Sequence, residues 1–118
     1  MEIQKFLVGD VIFSEGDIGT DAYILKSGKI KITVKVQDDT PRTLATAGPG
    51  SIIGEMALID DAPRAASAVA LEEGEAMVVT EPEFQKRLDK SDPVIALLLK
   101  IYTERLRAQT VQLAERMR

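Results

Sequence analysis

A glutamate and an arginine, Glu55 and Arg64, stand nine positions apart in the mostly apolar stretch IIGEMALIDDAPRAASAVA, residues 52–70. A guanidinium matches a phosphate with two parallel hydrogen bonds, which a lysine cannot copy. Gly54 to Ile59 is long enough for about one and a half helical turns, and Gly54 has no side chain to cap them. Such a start leaves backbone N–H groups unsatisfied beside the positive end of the helix dipole, a ready place for an anion. The turn Asp60-Asp61-Ala62-Pro63 would fold Arg64 back over that start. Glu55 is oddly placed beside a phosphate unless it accepts from a hydroxyl, and a sugar supplies one. The plainer alternative pairs Glu55 with Arg64 in a solvated loop, an interaction worth little. Spacing alone leaves both readings open.

What the chain lacks narrows the chemistry. It has no histidine and no cysteine, so the commonest metal ligand, the commonest general base and any disulfide are missing. Asp60 and Asp61, adjacent in a turn, are read as solvated rather than as metal ligands. We expect no enzyme, no catalytic residue and no metal. A formal net charge of −4 argues against a general nucleic-acid binder, so any anion site must be local. The longest uninterrupted apolar run, Val94 to Leu99, is far shorter than the roughly 20 residues of a membrane span. The N-terminus lacks the regions of a signal peptide, which makes the cytoplasm the expected compartment.

The elements that must position these residues are mostly strands. At 118 residues the chain has the size of one domain. Lys29 to Val36 alternates, with Ile30, Ile32, Val34 and Val36 on one face, as a half-buried antiparallel strand does. Ala22-Tyr23-Ile24-Leu25 is a second strand, expected to join the first in a hairpin through Lys26-Ser27-Gly28. Val11 to Phe13, Thr43 to Ala45, Ile52-Ile53, Ser67 to Ala70 and Ala76 to Val79 complete the set. Short strands punctuated by Gly, Pro and Asp indicate a sandwich or jelly roll.

The last third is helical. Thr80-Glu81-Pro82-Glu83 is a capping-box signature. Asp92-Pro93 restarts a longer helix, in which Leu99, Tyr102, Leu106, Gln109 and Leu113 follow three-four spacing. That seam fits a helix packed on its own sandwich or a short helix-helix contact, and a buried Gln109 would need a polar partner.

Residues 54–67, GEMALIDDAPRAAS, resemble the phosphate-binding cassette of cyclic nucleotide-binding domains. Gly9-Asp10-Val11-Ile12, Glu15-Gly16-Asp17, Tyr23-Ile24-Leu25 with Ser27-Gly28, and Gly48-Pro49-Gly50-Ser51 resemble that family's glycine-punctuated strands, so the likeness covers residues 6–118. The family includes regulatory subunits of cyclic-AMP-dependent kinase, nucleotide-gated channels and catabolite-activator-type regulators. The resemblance implies a mainly β fold with C-terminal α structure. That fold is an antiparallel, eight-stranded jelly-roll sandwich (about 6–80) with a short cassette helix, followed by two C-terminal helices (about 81–118), all in one domain.

It also implies a ligand site and no other cofactor. Glu55 would accept the ribose 2′-hydroxyl, Arg64 would pair with the cyclic phosphate, and the N–H groups of Gly54, Glu55, Ala65 and Ala66 would assist, with Met56 and Ala57 alongside. A Thr or Ser after the arginine tends to favour cyclic GMP in this family; Ala65 offers no such group, which favours cyclic AMP. Placing the long helix beside those of the bacterial regulators brings Gln109 and Thr110 near the adenine, partly across a dimer interface. The family's leading helix is expected to be missing before Phe6, and no nucleic-acid-binding domain is expected within this chain.

The function expected from this resemblance is a cyclic-nucleotide sensor that signals by repositioning its C-terminal helix, with a homodimer through the 93–118 helix as one way to transmit the signal. The alternative is a ligand-independent dimerisation or docking module with the same fold.

Overall fold

The computed structural model describes residues 2–60 and 62–117. Its strands are β1 (Glu2–Phe6), β2 (Val11–Phe13), β3 (Ala22–Lys35), β4 (Pro41–Ala47), β5 (Ile52–Ile53) and β6 (Ser67–Val79), followed by helices α1 (Glu81–Asp89) and α2 (Pro93–Met117). Single turns of 3-10 helix occupy Gln37–Asp39 and Glu55–Leu58. The sheet runs β1-β6-β3-β4, with β2 also on β6 and β5 also on β3, every pair antiparallel.

The expected hairpin at Lys26-Ser27-Gly28 does not form. The chain passes straight through it, so the two strands expected there are one long β3, and the two expected at 67–70 and 76–79 are one long β6. The punctuation is a bend instead of a reversal. Gly28 takes φ +84°, the β3/β6 register slips around it, and Gly74 of β6 lies against Ser27 and Gly28. A side chain at Gly28 would come within 2.6 Å of the Glu73 carbonyl oxygen, which is why glycine stands there.

This bend folds the sheet over its own core. Tyr23, Leu25, Ala76 and Val78 from one side of the bend pack in a single buried cluster with Ile30, Ala68 and Ala70 from the other. Phe6 of β1 and Ile53 of β5 close it. The architecture is therefore mainly antiparallel β with C-terminal helices, as expected and consistent with a jelly roll, with fewer but longer strands. β1 has no counterpart among the expected strands; it pairs residue by residue with the end of β6.

Both helix starts follow their local signals. The Thr80 hydroxyl accepts from the Glu83 N–H, and the Asp92 carboxylate accepts from the Val94 N–H. α2 lies on β4 and on the core cluster of Val34, Ala66 and Ala114. It does so by the row Thr103, Arg107, Thr110 and Ala114, all buried or half-buried, one residue on from the seam. Tyr102, Leu106, Gln109 and Leu113 stay exposed. Among the described residues, no helix is long and apolar enough to cross a membrane.

Candidate functional site

Between α2 and the open face of the sheet lies a cavity of about 300 Å³, at the lower end of the range typical of small-molecule sites. One wall is Ile32, Leu44 and Ala45 of β3 and β4; another is the segment Ile52 to Ala57; a third is Arg64, Ala65 and Ala66. Arg107, Thr110 and Leu113 of α2 cover it.

The turn Glu55–Leu58 is shorter than the helix expected, a single 3-10 turn. Its preceding residue, Gly54, sits at φ +71° with no side-chain cap. A Cβ on Gly54 would meet Arg64 Nη1 at 2.6 Å and Phe13 Cε2 at 3.0 Å, so glycine gives both the left-handed backbone and the space for the guanidinium. The N–H groups of Glu55, Met56, Ala65 and Ala66 find no acceptor among the described residues.

Arg64 is buried. Its Nη1 donates to the Gly54 carbonyl at 3.0 Å and its Nη2 to the Asp21 carbonyl at 2.7 Å. The guanidinium stacks on Phe13, 4.2 Å from the ring centre, and its Nε is buried with no hydrogen-bond partner. The expectation that Arg64 reaches back over the start of the turn is met by the bond to Gly54. The alternative of a Glu55–Arg64 pair is not what the structure shows, because Arg64 donates to backbone carbonyls instead. Burial pushes the Arg64 guanidinium below its ordinary range; nearby Tyr23 and Asp21 pull it back up, and Arg107 pushes it down again.

The chemistry this permits is recognition of a small anion that also carries polar groups. A buried cation, backbone N–H groups without acceptors and a half-buried carboxylate, Glu55, line one partly apolar hollow. Of the residues singled out from sequence, Gly54, Glu55, Met56, Ala57, Arg64, Ala65, Ala66 and Thr110 line the cavity together. Gln109 does not; it lies on the exposed face of α2 in this chain.

Sequence reasoning passed over Phe13, Asp21 and Arg107. Asp21 takes part through its carbonyl, which leaves no residue-type signal. Arg107 was legible only as a charge among the small residues of the docking row. Its Nε and Nη2 bind the two Asp60 carboxylate oxygens at 2.6 and 2.7 Å, so Asp60 is not the solvated turn residue expected. Asp61, paired with it in that expectation, lies outside the described residues. Among the described residues no group of three or more Asp or Glu could hold a metal.

Comparisons with known proteins bear on the family and the fold. Residues 3–91 match the family model of the cyclic nucleotide-binding domain. The chain is 34% identical over 105 residues to the cyclic AMP receptor protein of Thermus thermophilus, covering 89% of this chain and 49% of that protein. It thus spans about half the length of this curated relative. Among solved structures, the EAL enzyme Bd1971 with cyclic AMP bound superposes with a TM-score of 0.86 at 36% identity, over 96% of this chain and 30% of that one. The cyclic-GMP-bound form of Bd1971 gives 0.80 at 38% identity, over 90% and 28%.

Proposed function

The chain belongs to the cyclic nucleotide-binding domain family, and from that premise we propose that it binds cyclic AMP in the cavity under α2 and acts as a regulatory sensor through that helix. The observation that carries this reading is the buried Arg64 on the cavity wall, a cation in neither ion pair of the described residues, beside cassette N–H groups that lack acceptors. A cyclic phosphate would supply acceptors for those N–H groups and a counter-charge for Arg64. Arg64 is assigned the phosphate, with the N–H groups of Gly54, Glu55, Ala65 and Ala66. Glu55 is assigned the ribose 2′-hydroxyl, while Met56 and Ala57 form the adjoining wall.

Thr110, on the cavity, is assigned to the base; Gln109 would reach a base only in a partner chain. Cyclic AMP is favoured over cyclic GMP because Ala65 has no side-chain hydrogen-bonding group, although Bd1971 has been solved with each nucleotide. The bound ligand would fill the space between sheet and α2 and bias the position of the helix, provided it favours one arrangement over the other. The exposed row of Tyr102, Leu106, Gln109 and Leu113 supports a homodimer through α2. We propose that residues 1–118 form one non-catalytic domain, acting in the cytoplasm.

Calorimetric titration at micromolar protein tests this directly. Cyclic AMP should bind, and more tightly than cyclic GMP. Absence of heat and of any thermal shift with millimolar nucleotide of either kind rejects the reading.

A further inference from the structure

Arg107 is the only α2 residue whose side chain hydrogen-bonds outside its own helix, among the described residues. All its partners lie in the turn just before Arg64. Besides both Asp60 carboxylate oxygens, the guanidinium donates to the carbonyls of Pro63 at 2.9 Å and Ala62 at 3.4 Å. Asp60 in turn accepts from the Ala62 N–H at 3.3 Å, closing the turn on itself. On the other flank, the Arg64 N–H donates to the Asp17 carbonyl and the Arg64 carbonyl accepts from the Gly16 N–H, each at 2.8 Å. The backbone of Arg64 is therefore held between loop 16–17 and a single helix side chain.

We propose that Arg107, paired with Asp60, is a positioning residue that sets the turn carrying Arg64 and couples the ligand cavity to the docking of α2. The pair is only 17% and 27% exposed, so breaking it leaves a charge in a partly desolvated place, unlike loss of a surface ion pair. The rest of the docking row is small, with Ala114 against Val34 and Ala66 and the hydroxyls of Thr103 and Thr110 bonded within their own helix. Contacts of that kind slide; a forked guanidinium on a carboxylate and two carbonyls has one register. A ligand that shifts Arg64 would strain this fork, and a shift of α2 would move Arg64. The coupling to nucleotide rests on the function proposed above; the mechanical link does not.

The test is a double-mutant cycle with Arg107→Gln, Asp60→Asn and both together, read by cyclic AMP titration and by hydrogen exchange without nucleotide. Each single change should weaken cyclic AMP binding by about tenfold, within the usual span of couplings between sites. The double variant should be no weaker than the worse single one, since one link is lost only once. Affinities within twofold of the parent, or additive losses, overturn the proposal. Exchange separates this from the functional reading. Even if the parent binds no nucleotide, Arg107→Gln should speed exchange at 62–66 and Asp60→Asn should speed it along 103–114. If neither segment changes, the link is rejected. Should Arg107→Gln fail to fold, Arg107→Lys, which keeps the charge but loses the fork, should give the same direction of change, and parent-like behaviour in it overturns the proposal.

Discussion

The Arg64 guanidinium lies 4.2 Å from the centre of the Phe13 ring, and Phe13 in turn stacks on Tyr23 at 6.2 Å between ring centres. A cation over an aromatic face is attracted by the ring quadrupole, the more so when water is excluded. The ring and two backbone carbonyls stabilise the charge of Arg64, and neither neutralises it. Among the described residues the ion pairs are Lys29–Glu72 and Arg107–Asp60, and Arg64 is in neither.

Arg64→Ala should therefore remove most nucleotide binding. Truncating one partner of a buried, hydrogen-bonded charge pair costs about 2–5 kcal/mol, which calorimetry reads as an affinity loss of at least about thirtyfold. An affinity within threefold of the parent would show that the phosphate sits elsewhere.

Much of this site was legible because its determinants are local. Gly54, Glu55 and Arg64 are fixed by one short stretch of chain, and Thr80 and Asp92 cap helices through neighbours two or three residues away. What escaped is non-local. Gly28 looks like a turn residue until Gly74, far along the chain, is found packed against it, and only then is the strand seen to bend. The face of α2 that docks was misjudged for a related reason. Large apolar residues mark a seam, yet Thr103, Thr110 and Ala114 dock because small side chains leave room for the cavity beneath. Arg107 and Asp60 meet across 47 residues, and no spacing rule reaches that far.

Ala65 lines the cavity directly after Arg64. In Ala65→Thr the new hydroxyl could bond the guanine amino group and has no matching donor on adenine. A net hydrogen bond contributes about 1 kcal/mol, so the ratio of cyclic GMP to cyclic AMP affinity should rise by about fivefold. Competition titration of the two nucleotides checks this, and an unchanged ratio would remove position 65 from the base site.

Tyr23 gives a pH prediction. Burial raises its phenol above the ordinary value, Asp21 and Glu2 add to the rise, and Arg64 opposes it. A raised folded-state value means that the stability it contributes is whole below the unfolded value of about 10 and is lost as pH climbs through the folded one. In the Tyr102→Phe variant Tyr23 is the only tyrosine left. Phenolate absorbance should then appear only above pH about 10, together with a falling denaturation midpoint. Phenolate formation at the ordinary value with an unchanged midpoint would contradict the burial of this ring.

The exposed row on α2 makes the last prediction. Tyr102, Leu106 and Leu113 are 54%, 46% and 42% exposed in a single chain. In a two-fold dimer each row would meet its own copy, so any substitution counts twice. Burying a leucine contributes about 1.5–3 kcal/mol. Leu106→Lys should therefore raise the dimer dissociation constant by at least about tenfold, because the 46% of Leu106 left exposed is about half of that burial, lost in both copies, and two like charges come near each other. Sedimentation across a concentration series reads this directly. A parent chain that stays monomeric at millimolar concentration, or a variant that dimerises as the parent does, would show that this face serves no second copy.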